Sequence, residues 1–322
     1  MKPGYTEPLY LLPFDHRGSY VSGMFHLKEP LTADGHDKVA RSKRLIYDGF
    51  RQALGGKVPA GAAGILVDEE FGSDILRDAA ASGYVTALSV EKSGSEEFQF
   101  EYGEAFAAHL EAFKPSFAKV LVRYNPEGDA ALNQRQTARL RRLSEHCRST
   151  GQRFMFELLV PATKVQMERL GTDGNAYDVQ LRPELMRQAI RTLQDAGVEP
   201  DVWKIEGLDG REDCEKIVET ARRDGRGDIG CIVLGRGADE ARVIHWLKTA
   251  APVPGFIGFA VGRTTFWDAV AAFESKALTR EDAVSHIAKR YGEWVEIYEN
   301  ARHSLASPSQ IATKQIATEG KP

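Results

Sequence analysis

The run DVWKIEGL, Asp201 to Leu208, alternates strictly, with Trp203 and Ile205 on one side of an extended chain and Lys204 and Glu206 on the other. It reads as a short buried β-strand with a lysine on its inner face. Seven further runs of the same kind punctuate the chain: LYLLPFD (9–15), GILVDEEF (64–71), TALSVEK (86–92), AKVLVRYN (118–125), RFMFELLV (153–160), IGCIVLGRG (229–237) and GFIGFAVGR (255–263). Their wealth of Val, Ile, Leu and Phe is that of parallel strands covered on both faces. Helical patterns separate them at 37–54, 73–82, 100–113, 130–149, 183–196, 211–223, 239–250 and 265–276, with Pro183 suited to a helix start and Gly151 and Gly197 to helix ends. Eight strands alternating with eight helices predict an α/β fold, a closed (β/α)8 TIM barrel forming one domain over residues 1–305. An open doubly wound sheet would carry a GxGxxG turn after its first strand, where this chain has FDHRGSY. Residues 21–37 read as a long loop and 279–305 as an extra C-terminal amphipathic helix. The small, polar residues 306–322 read as a disordered tail.

A chain of 322 residues, 42% hydrophobic and 27% charged, is long enough to bury a large core. A formal charge of −4 leaves neither a basic footprint for nucleic acid nor a polybasic patch for a membrane. Cys147, Cys214 and Cys231 form no CxxC or zinc pattern and point to a reducing compartment. The opening MKPGYTEPLYLLPF lacks the pattern of a signal peptide, and no apolar run approaches the roughly 20 residues of a membrane span. The expectation is a cytoplasmic protein without nucleic-acid or membrane partners, with homo-oligomerisation left open.

The chemistry of such barrels lies at the C-terminal ends of the strands. Those ends are polar here: Asp15-His16-Arg17, Asp68-Glu69-Glu70 and Glu91-Lys92 close the first three strands. The fourth carries Lys119, Arg123 and Asn125 on one face, and the fifth sets Glu157 among Phe154, Phe156 and Leu158. A ring of Asp15, Lys119, Arg123, Glu157 and Lys204 is expensive unless its charges are paired or used. The structural reading is a buried ion-pair network, with Lys204 reaching solvent or pairing with Glu206. The chemical reading starts from burial, which disfavours the ammonium form and leaves neutral amine to attack a carbonyl and form a Schiff base. The seventh and eighth strands end in Gly235-Arg236-Gly237-Ala238 and Gly262-Arg263-Thr264-Thr265, the usual phosphate-binding position of this fold. Glycines admit an anion to backbone N–H groups, and arginine binds phosphate bidentately. Gly235, Arg236, Gly262 and Arg263 are therefore candidate phosphate ligands; ordinary tight turns are the alternative. Among eight histidines only His16 lies at a strand end, so no metal or other cofactor is expected. Asp68 and Glu70 leave a Mg²⁺-dependent lyase as an alternative.

The Asp near the end of strand one, the Lys on strand four, the Glu on strand five and the Lys on strand six resemble those of the class I, Schiff-base aldolases of the tagatose-bisphosphate and sulfofructose-phosphate group. The motifs LPFDHRGSY, FELLVPAT, DVWKIEGL and GFAVGRTTFWDA, set over about Leu9 to Asn300, carry a closer resemblance. They are most similar to the aldolase-like domain fused behind a sugar kinase in some bacterial inositol-catabolism proteins, a domain associated with 2-deoxy-5-keto-gluconate 6-phosphate. The resemblance implies Lys204 as the imine lysine, Glu157 as acid/base, and Asp15 and Lys119 as substrate-polarising partners. It implies a small phosphorylated sugar as ligand, split into a dihydroxyacetone-phosphate-type fragment and malonate semialdehyde, whose carboxylate would meet Arg123 or Arg17. A sugar-phosphate-binding barrel without turnover is the non-enzymatic alternative.

Overall fold

The computed structural model describes residues 3–56 and 58–304; the tail expected at 306–322 lies outside the described residues. Eight parallel strands close a barrel in sequence order: β1 (Leu9–Pro13), β2 (Ala63–Val67), β3 (Val85–Ser89), β4 (Phe117–Arg123), β5 (Arg153–Leu159), β6 (Val202–Glu206), β7 (Gly230–Leu234) and β8 (Phe256–Ala260). The helices around them are α1 (Gly18–Phe25), α2 (Ala33–Leu54), α3 (Glu69–Ala81), α4 (Phe106–Phe113), α5 (Ala130–Thr150), α6 (Lys164–Arg169), α7 (Gly174–Gln180), α8 (Arg182–Asp195), α9 (Arg211–Arg222), α10 (Glu240–Ala250), α11 (Arg263–Glu274) and α12 (Arg280–His303).

The (β/α)8 prediction holds, and α12 is the extra C-terminal helix. Residues 21–37 are not one loop: they hold the end of α1 and the start of α2, which begins where the Thr32 hydroxyl accepts from the Gly35 N–H. The helices α6 and α7, in the connection after β5, are further additions to the expected pattern. None of the described helices is long and apolar enough to cross a membrane.

Two apolar layers position the site. Leu9, Leu11, Leu66, Phe117, Met155, Val202 and Ile232 fill the lower interior of the barrel, and Tyr5 sets its ring edge-on to Phe117 below them. A larger cluster lies between the strands and the helices. Each such fully buried side chain contributes about 1.5–3 kcal/mol, which offsets the several kcal/mol that each charge buried above the floor costs. At the seam β1 pairs with both β2 and β8. Gly258 lies so near Leu9 that a Cβ would overlap the Leu9 carbonyl. The last helix covers this seam: α12 packs on α2, and the Tyr291 hydroxyl donates to the Tyr10 carbonyl at 2.7 Å.

Candidate active site

Lys204 and Glu157 face each other in register across β6 and β5. Alternation turns both inward above the apolar floor, and Lys204 Nζ lies 2.8 Å from Glu157 Oε2. Lys119 starts one level lower, opposite Met155, and its long side chain rises into the same layer. There its Nζ meets Asp15 at 2.7 Å, Glu91 at 2.8 Å and Glu157 at 2.9 Å. Asp15 also accepts from the Ser89 hydroxyl at 2.9 Å. The result is one continuous chain of charge under a cavity of about 390 Å³ at the C-terminal mouth of the barrel. Asp15, Glu91, Glu157 and Lys204 line that cavity.

The carboxyl groups of this chain do not share one electrostatic state. Burial alone would raise Asp15, but Lys119 and Lys204 outweigh it and hold the carboxyl below its ordinary range. Glu157 is held down by the same two lysines against the same burial. For Glu91 burial wins: Lys119 and Arg17 offset it only in part, Asp15 adds to it, and the carboxyl is pushed up. Lys119, despite its burial, is raised well above its ordinary value by Asp15, Glu157 and Glu91. His16 is lowered to about 4 by burial, with Arg263, Lys204 and Lys43 opposing the pull of Asp15. It stands on the cavity wall as neutral imidazole, its Nδ1 without a hydrogen-bond partner among the described residues.

Glu206, expected beside Lys204, has other partners. It accepts from the Val160 N–H at 2.9 Å and faces Arg236 at 3.1 Å and Arg182 at 3.4 Å. The group that meets Lys204 is Glu157.

The arginines divide into two kinds. Arg17 donates to Glu101 and to the Glu91 carbonyl, both at 2.6 Å, and so fastens the end of β1 to the excursion after β3. Arg236 pairs with Asp178 at 2.8 Å as well as with Glu206, fastening the turn after β7 to α7. Both line the cavity with their guanidinium groups committed to carboxylates. Arg263 and Arg123 have no carboxylate partner among the described residues. Arg263 rests over the turn after β7, 3.3 Å from the Arg236 carbonyl, where a Cβ on Gly237 would overlap it. Arg123, exposed, donates to the Ser95 carbonyl at 3.3 Å. Because β4 and β8 lie across the barrel from one another, these two arginines stand at opposite sides of the mouth.

Of the two helix starts expected to attract an anion, one is already occupied. At α10 the Asp239 carboxylate accepts from the Arg242 N–H at 2.9 Å. At α11 the N-cap is Gly262, which supplies no side chain, and Gly235 and Gly262 both lie buried beside it. Two of the carboxylates after β2 are also committed. Asp68 caps α3 through the Phe71 N–H at 2.9 Å and pairs with the buried Lys43, while Glu69 meets His109 at 2.8 Å. Asp68 is thus already engaged, and among the described residues no group of three or more His, Cys, Asp or Glu side chains has the geometry to hold a metal. Glu91, which the sequence marks only as a polar end of the third strand, joins the cluster through Lys119.

A family model described as "Uncharacterized protein conserved in bacteria (DUF2090)" matches residues 2–302. No curated protein matches the chain in sequence. Among solved structures, Cgl0159 from Corynebacterium glutamicum is similar at a TM-score of 0.54 and 18% identity, covering 91% of this chain and 88% of its own. A Schiff-base-forming fructose-1,6-bisphosphate aldolase is similar at 0.56 and 14%, covering 90% and 94%. An archaeal fructose 1,6-bisphosphate aldolase gives 0.55 and 14%, covering 92% and 95%. At these identities the likeness is one of fold.

Proposed function

The chain belongs to the family described as "Uncharacterized protein conserved in bacteria (DUF2090)", and for this member we propose the activity of a class I aldolase acting through an imine on Lys204. The observation that carries the reading is the buried Lys204 amine at the cavity base, 2.8 Å from Glu157 and below a wall bearing Arg263. Fold similarity to aldolases, one of them Schiff-base-forming, supports it.

The steps follow from the contacts. Glu157 takes a proton from Lys204 along their short contact, and the freed amine adds to a substrate ketone. Loss of water gives a protonated imine that withdraws electrons from the neighbouring carbon–carbon bond. Asp15, or Glu157 once the proton it took from Lys204 has passed to the departing water, accepts the β-hydroxyl proton as that bond breaks. Lys119 keeps both carboxylates ionised and in place. The enamine is then protonated and the imine hydrolysed.

The substrate is a phosphorylated ketose or keto sugar acid. We assign its phosphate to Arg263, with Gly235, Gly262 and the uncapped start of α11, and a distal carboxylate to Arg123. 2-Deoxy-5-keto-D-gluconate 6-phosphate carries both charges, one at each end, and its cleavage gives dihydroxyacetone phosphate and malonate semialdehyde. An intracellular sugar-catabolic role follows from that substrate. Borohydride reduction in the presence of this and related ketose phosphates is expected to add the mass of one reduced adduct to the intact protein. An unchanged mass with every candidate rejects the imine.

Arg263→Ala is expected to weaken binding of phosphorylated ligands without changing the fold. Losing a charge-assisted hydrogen bond costs about 1.5–3 kcal/mol, or roughly tenfold or more in affinity. Titration calorimetry checks this, and unaltered affinity places the phosphate elsewhere.

A further inference from the structure

Six basic side chains line the cavity, and three of them are already engaged: Arg17 by Glu101, Arg236 by Asp178 and Glu206, and Lys204 by Glu157. The other three, Arg263, Arg123 and Lys92, have no carboxylate partner among the described residues. Arg263 stands by itself after β8. Arg123 ends β4, and Lys92 lies just beyond β3, the strand that pairs with β4. Unpaired like charges on neighbouring strands repel, and an anion between them removes that repulsion.

Lys92 is held in place by an arm, residues 90–101, that doubles back on itself. Glu91 bridges Phe100, the Lys92 N–H donates to the Gln99 carbonyl at 2.8 Å, and the Glu101 N–H donates to the Val90 carbonyl at 2.9 Å. Phe98 and Phe100 are buried with their rings edge to face at 5.1 Å, which roots the arm in the apolar layer around the barrel. Its tip is tied down as well. The Ser93 N–H donates to Glu101 at 3.0 Å, and Ser93 Oγ accepts from the Gly18 N–H at 3.2 Å. The Ser95 carbonyl accepts from Arg123 at 3.3 Å, so the arm meets the second cation directly. Of the arm's carboxylates only Glu91 lines the cavity, and Lys119 holds it. Glu97 is paired with Arg135 and Arg139, and Glu101 with Arg17.

We propose that Lys92 is a specificity-determining residue of this site, forming with Arg123 a two-cation clamp for the terminal carboxylate of the substrate. The proposal rests on the Schiff-base reading above and adds to it the element that selects the departing fragment. With the phosphate at Arg263 and the ketone carbon on Lys204, the carbons beyond the broken bond extend toward β3 and β4. A chain that ends there in a carboxylate meets two unpaired cations. A chain that ends in a methyl or hydroxymethyl group leaves both unmet. The braced backbone of the arm limits the freedom that Lys92 loses on binding. The fragment released is therefore a short aldehyde acid, and the arm after β3 is the part of the chain that distinguishes it from a neutral aldehyde.

Condensation of dihydroxyacetone phosphate with malonate semialdehyde, set against condensation with propanal, reads the clamp. The parent should prefer the acid, and Lys92→Met should lose about tenfold of that preference in kcat/KM, the size of one charge-assisted hydrogen bond. The loss should fall on the KM for malonate semialdehyde rather than on kcat. Lys92→Arg, which keeps the charge, should retain most of the preference, and Lys92→Glu should abolish it. Lys92 is exposed, so these changes stay within the small stability effects of surface substitutions. A parent that borohydride traps with dihydroxyacetone phosphate, but that takes propanal as readily as the acid, overturns the proposal. So does a Lys92→Met variant with the parent's preference, which leaves the carboxylate to Arg123 alone. In both cases the imine stands. A parent that forms no adduct removes the Schiff-base reading, and this role with it.

Discussion

Lys204→Met is expected to yield a folded barrel in which borohydride traps no adduct and turnover is lost. Methionine is close to lysine in length, flexible and apolar, so it fills the space above the floor without a cavity. The ion pair with Glu157 disappears, but Glu157 keeps Lys119 at 2.9 Å and is not left as an unpaired buried charge. The melting temperature should therefore stay near that of the parent while the chemistry stops. Position distinguishes Lys204 from the other strand lysines. Lys119 is held by three carboxyl groups, and Lys92 is exposed beside Ser93 and Gly94. Peptide mapping of the reduced parent should place the label on Lys204; a label on Lys119 or Lys92 rejects the assignment.

Lys119→Met should do the opposite and damage the fold first. Its side chain is 1% exposed, and its amine is the common partner of Asp15, Glu91 and Glu157. Removing one member of a buried pair costs about 3–5 kcal/mol because it leaves uncompensated charge. For a chain of this size that is a fall in melting temperature on the order of 4–8 °C. The loss depends on pH with a definite sign. In the parent, Asp15 and Glu157 sit below their ordinary values of 3.8 and 4.5 and contribute stability above those values that is lost on acidification. In the variant burial is less opposed, so the same groups rise, take up protons in the folded state and cost most at neutral pH and above. The gap between variant and parent should narrow as pH falls. Thermal melts from acid to neutral pH measure it, and equal stability at neutral pH shows that Lys119 is not what holds the three carboxyl groups together.

The barrel was legible because each strand is buried on both faces and so reads as an apolar run, with its polar residues gathered at the C-terminal end. The convergence of Asp15, Lys119, Glu157 and Lys204 followed from alternation combined with topology. Partner identity did not. Glu206 shares a side of the strand with Lys204, yet the amine meets Glu157, because register across β5 and β6 decides the neighbour and a single strand carries no record of it. Arg17 looked free for the same reason: its partner Glu101 is brought back only by the Glu91–Phe100 bridge. The helix α6 had a local signature, the reciprocal cap between Thr163 and Gln166, that periodicity alone passes over. The helix α1 had none, since Arg17 caps it with no side-chain hydrogen bond.

The seam between β1 and β8 has a consequence for biosynthesis. The first strand to be made is the last to be enclosed. Asp15 waits for Lys119, 104 residues later, and the Tyr10 carbonyl for Tyr291, 281 residues later. Until β8 arrives, one edge of β1 is an open row of donors and acceptors, the kind of surface on which chains pair wrongly. Contacts of such long reach also slow folding, because the loop must close before the contact can reward it. The nascent chain thus carries its most exposed edge on the strand that positions Asp15, and the ribosome must deliver nearly the whole barrel before that edge is covered.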